Sequence, residues 1–124
     1  MAEDADVAVI FVSTAVGEDG ENGDRQDLNI LPVHERLIRE VAAVQPNVVV
    51  VLANSDAVVM PWLGECKALL ETFFAGQGMG RAVAEILFGH RKPVRQANGD
   101  GAEFAGRNSG LVKLSGRKPA SLLR

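Results

Sequence analysis

The sequence has few of the features that mark exported or disulfide-stabilised proteins. Its 124 residues include one cysteine, one tryptophan and no tyrosine. The single cysteine, Cys66, excludes an internal disulfide and agrees with a reducing compartment. The opening Met-Ala-Glu-Asp-Ala-Asp is acidic where an export signal would be basic and then apolar. We therefore expect a cytoplasmic protein in which Cys66 is a small buried hydrophobic residue.

Long hydrophobic runs and common cofactor motifs are also missing. The apolar run at residues 48–53 is far shorter than the roughly 20 residues of a membrane helix, so no membrane span is expected. His34 and His90 have no partner at metal-ligand spacing, and no nucleophile elbow or Walker lysine motif occurs. We expect neither a metal nor a cofactor. The hydrophobic content of 47% and charged content of 23% are those of an ordinary globular domain.

Charge divides the chain into two parts. Residues 1–88 carry a net charge of −9 and residues 89–124 a net charge of +6, which together give the overall −3. We predict a domain at residues 1–89, followed at residues 90–124 by a basic tail with no periodicity, typical of disorder. The tail has a single aromatic residue, Phe104, and no basic helical face, so nucleic-acid binding is not expected.

Hydrophobic periodicity predicts an α/β fold. Continuous apolar runs at residues 7–12, 48–53 and 68–70 are typical of strands covered on both faces. Between them, a helix is predicted whose core-facing residues recur at helical spacing: Val33, Leu37, Val41 and Val44, with Ile38 beside them. A second helix is predicted at residues 81–88, with Val83, Ile86 and Leu87 facing inward. This order predicts a partial three-layer α/β sandwich with a small, mainly parallel sheet and exposed edges.

Two loops could carry chemistry. Gly76, Gly78 and Gly80 precede the second helix, but the third glycine of a dinucleotide fingerprint is missing, so a turn with two positive-φ glycines is favoured over phosphate binding. The other loop follows the first strand and contains carboxylates and one arginine. Clustered carboxylates raise one another's proton affinity, which suits a general acid; the alternative is a solvated turn. The alternating ligand pattern of a calcium-binding loop is absent. Its charged residues are Glu18, Asp19, Glu21, Asp24 and Arg25.

Taken in order, the landmarks resemble the C-terminal domain of family 3 glycoside hydrolases, the β-glucosidases and β-xylosidases. The resemblance covers residues 5–89 in register and depends on the ordered set of motifs. They are Ala5-Asp-Val-Ala-Val-Ile-Phe-Val12, Glu21-Asn-Gly-Asp-Arg25, Asp27-Leu-Asn-Ile30, Arg36-Leu-Ile38, Gln45-Pro-Asn-Val-Val-Val-Val-Leu52, Ala57-Val-Val-Met-Pro-Trp62, Ala75-Gly-Gln77 and Val83-Ala-Glu-Ile-Leu-Phe-Gly89. Asn22 and Gly23 replace the family's usual Gly and aromatic, and Ala57 replaces a Pro.

The resemblance implies a retaining exo-β-glycosidase that cleaves β-glycosides. In the family a preceding (β/α)₈ barrel supplies the aspartate nucleophile, and the acidic loop supplies the general acid/base. Counting back from Asp24-Arg25 places that glutamate at Glu21; a longer-looped subgroup would place it at Glu18. This sequence contains no counterpart of the barrel, so we expect a fragment that is inactive alone and prone to self-association. Alternatives are a stand-alone sugar- or nucleotide-binding module and a non-functional remnant.

The tail also fits a shifted reading frame. The family continues after Leu-Phe-Gly with x-x-Asn-Pro-Ser-Gly-Lys-Leu-x-Glu-Thr-x-Pro. When degenerate codons for residues 92–102 are read one nucleotide later, that string is allowed at every constrained position. This predicts a frameshift near residues 89–91 and a tail without a selected function.

Overall fold

The computed structural model describes residues 2–14, 27–55, 57–73, 75–93, 95–97 and 111–114. In these residues the chain forms five strands and two α-helices, with 3-10 turns at Leu63–Glu65 and Gly76–Gly78. The elements, in chain order, are β1 (Ala8–Ser13), α1 (Pro32–Ala42), β2 (Val48–Ala53), β3 (Ala68–Glu71), α2 (Met79–Leu87), β4 (Arg95–Ala97) and β5 (Leu111–Leu114).

Three parallel strands form the centre of the sheet. β1 pairs with β2 from Ala8–Val48 to Ser13–Ala53, and β2 pairs with β3 from Val49–Ala68 to Leu52–Glu71. Residues 48–52 of β2 are all buried because this strand has a neighbour on each side and cover on both faces. The prediction of a buried parallel strand at residues 48–53 is therefore confirmed.

Two hydrophobic clusters lie on opposite faces of the sheet. On one face α1 and the segment at residues 58–66 pack against Ile10, Val50 and Leu52, with Ile38 and Trp62 fully buried. On the other face Val83 and Leu87 of α2 pack against the opposite side of β2 and β3. This is the three-layer α/β sandwich that the periodicity predicts. Cys66 is buried, as predicted, although it follows a 3-10 turn and precedes β3.

The orientation of α1 differs from the prediction. Val33, Leu37 and Val44, predicted to face the core, are 55%, 42% and 50% exposed. The buried side of the helix instead carries Ile38, and the polar Gln45 just beyond the helix is also buried. The prediction was wrong for these three residues because apolar residues follow two adjacent stripes of this helix, whereas Val41 packs against the core as predicted. Burial of Gln45 is possible because its amide donates hydrogen bonds to the carbonyls of Ala2 and Ala5.

Two short strands come from the basic tail, which the sequence pattern did not predict to form regular structure. β5 pairs antiparallel with β3, and β4 pairs parallel with β5, so the sheet order is β1-β2-β3-β5-β4. β5 forms because the edge of β3 has unpaired backbone groups that a short extended segment can bond to. Hydrophobic periodicity does not predict such backbone pairing. The domain boundary at residue 89 stays a prediction. Neither described helix has the length and apolar character that crossing a bilayer requires.

Candidate functional site at the carboxyl edge of the sheet

The carboxyl ends of the three parallel strands meet at one edge of the sheet, and polar residues lie at each of them. Thr14 follows β1, Asn54 follows β2, and Glu71 is the last residue of β3. In open α/β sheets, ligands bind at this edge because the loops that leave the strands converge there. This edge is therefore where the structure can present catalytic or binding groups.

A buried amide links the ends of β2 and β3. Asn54 is fully buried, and its Nδ2 donates a 2.6 Å hydrogen bond to the Glu71 Oε1 atom. The hydroxyl of Thr72 and its backbone N–H both donate to the Leu52 carbonyl, at 3.1 and 2.9 Å. These bonds fix the Glu71 carboxylate at the edge of the sheet. The polar residue at the end of each strand was the sequence signal that could have identified this pair.

The acidic loop leaves the sheet from a fixed point. Thr14 is buried, and its backbone N–H donates to the Ala53 carbonyl at 3.2 Å. One residue earlier, the His34 Nδ1 atom lies 3.1 Å from the Ser13 carbonyl oxygen and 3.4 Å from the Ser13 backbone nitrogen. The first described residues of the loop are thus bonded both to β2 and to α1.

The loop returns to the same edge through a second fixed point. The Asp27 Oδ1 atom accepts a 2.7 Å hydrogen bond from the Asn29 backbone N–H, and the Leu28 carbonyl accepts one of 2.8 Å from Val59. Ile30 is buried in the α1 cluster. Between these fixed points, the predicted catalytic residues Glu18 and Glu21, with Asp19, Asp24 and Arg25, lie outside the described residues. Their roles remain predictions.

The glycine-rich segment is a turn. Gly76–Gly78 is a 3-10 turn that leads directly into α2, and Gly76 has a φ of 61°. Gly78 has a φ of −78°, and Gly80 lies inside α2. The predicted turn is confirmed, but one glycine rather than two of this segment adopts a positive φ.

The charged side chains with shifted pKa values lie on the helix surfaces. The pKa of the Glu85 carboxyl is held below its ordinary value, chiefly by a hydrogen bond from Arg81, with Arg91 also close. The pKa of Arg39 is raised, first by its hydrogen bond to Glu35 and then by Glu65. These are solvated ion pairs on the surfaces of α1 and α2. In the described part of the chain, no three His, Cys, Asp or Glu side chains are grouped so that they could hold a metal ion.

The sequence matches the glycosyl hydrolase family 3 C-terminal domain over residues 1–96. It is 42% identical over 92 residues to thermostable beta-glucosidase B of Acetivibrio thermocellus, a match that covers 74% of this chain and 12% of that enzyme. It is 38% identical over 93 residues to a beta-glucosidase of Rhizobium radiobacter, covering 75% of this chain and 11% of that protein.

A solved structure shares the fold. The crystal structure of a Bifidobacterium adolescentis GH3 beta-glucosidase superposes with a TM-score of 0.68 at 38% sequence identity. The superposition covers 73% of this chain and 14% of that one. The chain thus spans 11–12% of the length of the two curated relatives, and the family match covers residues 1–96 of this chain.

Proposed function

Because the chain belongs to glycosyl hydrolase family 3, as its C-terminal domain, we propose that it supplies the general acid/base of a retaining β-glycosidase. The proposed catalytic residue is Glu21, with Glu18 as the alternative if the loop follows the longer form of the family. The substrate class is a β-glucoside, by similarity to the named relatives. The nucleophile is an aspartate on a separate barrel domain.

The observation that supports this proposal most is the family match across residues 1–96, which includes both ends of the acidic loop. In the structure those ends lie at the carboxyl edge of the parallel strands, held by Thr14 and Ser13 on one side and by Leu28 on the other. A catalytic carboxyl must be held within a fraction of an ångström of its productive position. The two fixed ends supply the part of that requirement that the sheet can meet.

The chemistry divides between two carboxyl groups. In a retaining enzyme they lie about 5–5.5 Å apart on either side of the glycosidic bond. The acid/base first donates a proton to the leaving-group oxygen while the nucleophile attacks the anomeric carbon. It then removes a proton from the water that releases the sugar. The 124 residues contribute one of these two groups, so we expect no hydrolysis when they are assayed alone.

A chimera tests the proposal. Residues 1–88 would replace the matching segment of the Acetivibrio thermocellus enzyme, to which this chain is 42% identical. We expect aryl-β-glucosidase activity that Glu21→Gln lowers on the order of a hundredfold or more for poor leaving groups. Glu3→Gln is the matched control, because Glu3 is exposed at the amino-terminal end of β1, opposite the acidic loop. Full activity in both the Glu21→Gln and Glu18→Gln chimeras would refute the proposal.

The isolated chain is also proposed to self-associate through β1. Phe11 is 60% exposed on the sheet face that α2 covers elsewhere. Within the described residues β1 pairs with β2 alone, so one edge of an apolar strand is open to further pairing. We expect oligomers on sizing chromatography and a shift toward monomer in Phe11→Lys. A single monomer peak for the unsubstituted chain would contradict this.

A further inference from the structure

The outer edge of β1 has backbone groups that face away from the sheet. The Ala8 N–H donates to the Asn47 carbonyl at 3.0 Å, toward β2, and the Thr14 N–H donates to the Ala53 carbonyl at 3.2 Å. Backbone groups alternate in direction along a strand, so those of residues 7, 9, 11 and 13 point outward. Within the described residues no strand pairs with this side of β1. The outward groups are therefore open to another strand wherever no other part of the chain covers them.

His34 covers the last of these outward groups. Its Nδ1 atom lies 3.1 Å from the Ser13 carbonyl oxygen and 3.4 Å from the Ser13 backbone nitrogen. With the proton on Nδ1 the ring donates to the carbonyl, and with the proton on Nε2 it accepts from the N–H. The ring is held in place by α1, because Ile38, one turn later, is fully buried. Ser13 is thus bonded in either tautomer, and the stretch that stays open is residues 7–11.

An antiparallel copy of the same strand matches this open stretch. If Val9 lies opposite the partner's Val9, the outward groups of residues 7, 9 and 11 are all bonded and none from Ser13 is needed. A shift toward the carboxyl end would place residue 7 or 9 opposite Ser13, whose groups His34 already bonds. A shift in the other direction pairs fewer residues. The contact between His34 and Ser13 therefore selects one register.

The side chains agree with this register. Phe11 is 60% exposed on the same face as Val7 and Val9, and it would lie opposite the partner's Val7, an aromatic and β-branched pair that stabilises a sheet. Residues 7–13 carry no charge. Asp6, exposed just before the strand, would lie near the His34 end of the partner's strand. A parallel pairing would instead place it beside the partner's Asp6, so charge favours the antiparallel arrangement.

We propose that the partner of the β1 edge is a second copy of this chain, paired antiparallel about Val9, with His34 limiting the pairing to residues 7–11. This inference names the contact behind the self-association proposed above and rests on it. Because both copies use the same edge, the assembly closes as a two-fold dimer. An edge open along its whole length would allow several registers, whereas His34 leaves one.

Amide hydrogen exchange of the whole chain, followed by NMR at low and high protein concentration, tests the extent of the pairing. We expect the N–H groups of residues 7, 9 and 11 to exchange on the order of tenfold more slowly at the high concentration, because bonds across the dimer protect them. The Ser13 N–H should not depend on concentration. In His34→Ala it should become dependent, because Ser13 is then free to bond to the second copy. His90→Ala is the matched control, since His90 is exposed beyond α2.

Cross-linking tests the centre of the dimer without changing His34. In the proposed register the two Val9 Cα atoms lie about 5.5 Å apart, within the range of a disulfide. We expect Val9→Cys to form a covalent dimer under mild oxidation. Val7→Cys is the matched control, because the two copies of residue 7 are four positions apart along the strand, more than about 13 Å. The unsubstituted chain should not cross-link, since Cys66 is buried.

The results separate the register from the self-association on which it rests. A dimer in which the Ser13 N–H of the unsubstituted chain is protected together with residues 7–11 would overturn the role of His34. Val7→Cys that cross-links as fast as Val9→Cys would overturn the register. A chain that stays monomeric at both concentrations would refute the self-association itself, and with it this inference.

Discussion

Replacing Ile38 and Leu37 one at a time distinguishes the observed orientation of α1 from the one that the sequence predicts. The two residues are neighbours, and each loses three carbon atoms on conversion to alanine. Ile38 is fully buried among the residues that surround Trp62, while Leu37 is 42% exposed. Any difference between the two variants therefore comes from their surroundings.

The expected magnitudes follow from burial. At about 0.8 kcal/mol per buried carbon, Ile38→Ala loses roughly 2.4 kcal/mol of transfer free energy, and the cavity raises the total to about 3–4 kcal/mol. Leu37→Ala loses about 1 kcal/mol, because the side chain is partly solvated and leaves no cavity. We therefore expect Ile38→Ala to reduce the free energy of unfolding by about 2–3 kcal/mol more than Leu37→Ala.

Urea denaturation followed by tryptophan fluorescence measures both values. Trp62 is the single tryptophan, no tyrosine is present, and Trp62 lies in the same cluster as Ile38. With a urea m-value of about 1–2 kcal/mol/M, the midpoints of the two variants should differ by at least about 1 M. If Leu37→Ala is as destabilising as Ile38→Ala, α1 is not packed as described.

Three further predictions concern the carboxyl edge, the surface and the tail. Asn54→Asp would place two carboxylates where a 2.6 Å amide–carboxylate hydrogen bond now lies. We expect the free energy of unfolding to fall by about 2–4 kcal/mol near pH 7, and by less near pH 4, where the pair retains a proton. A loss that is the same at both pH values would contradict this prediction. The lowered pKa of Glu85, caused first by the hydrogen bond from Arg81, predicts that wild type is slightly more stable than Glu85→Gln above the ordinary glutamate pKa. That advantage should disappear as pH falls through the lower folded value, and thermal melts that differ equally at all pH values would exclude the ion pair as its source. Finally, the codons for residues 92–102, read one nucleotide later, should encode Asn-Pro-Ser-Gly-Lys-Leu; a gene sequence without that alternative frame would exclude a frameshift.

The sheet was predictable because its strands carry a strong local signal. Residues 48–53 are an unbroken run of β-branched and aliphatic side chains. Such a run is typical of a parallel strand that is covered on both faces. The burial of Val83 and Leu87 on α2 was also predicted, since one face of that helix is apolar and the other is not.

The features that were missed depend on contacts between distant residues. Gln45 is buried because carbonyls some 40 residues away accept its hydrogen bonds, and periodicity assigns a glutamine to the surface. The link between His34 and Ser13 spans 21 residues, and the strand at residues 111–114 is defined by the edge it joins. For the candidate site, the sequence predicted that the acidic loop follows β1 and carries the catalytic carboxyl, and the catalytic role stays a prediction. The bonds that fix its two ends could not be predicted before β1, α1 and the segment after β2 were placed together.

Azide rescue of the Glu21→Gln chimera is the most direct test of the central claim that this domain supplies the acid/base. With an activated aryl glucoside the first step needs no acid, so the glucosyl-enzyme should form and then accumulate because no base activates water. Azide, a nucleophile that needs no deprotonation, should restore turnover and give β-glucosyl azide as product. If azide neither restores turnover nor yields that product in the Glu21→Gln or the Glu18→Gln chimera, the acid/base of the enzyme does not come from this loop.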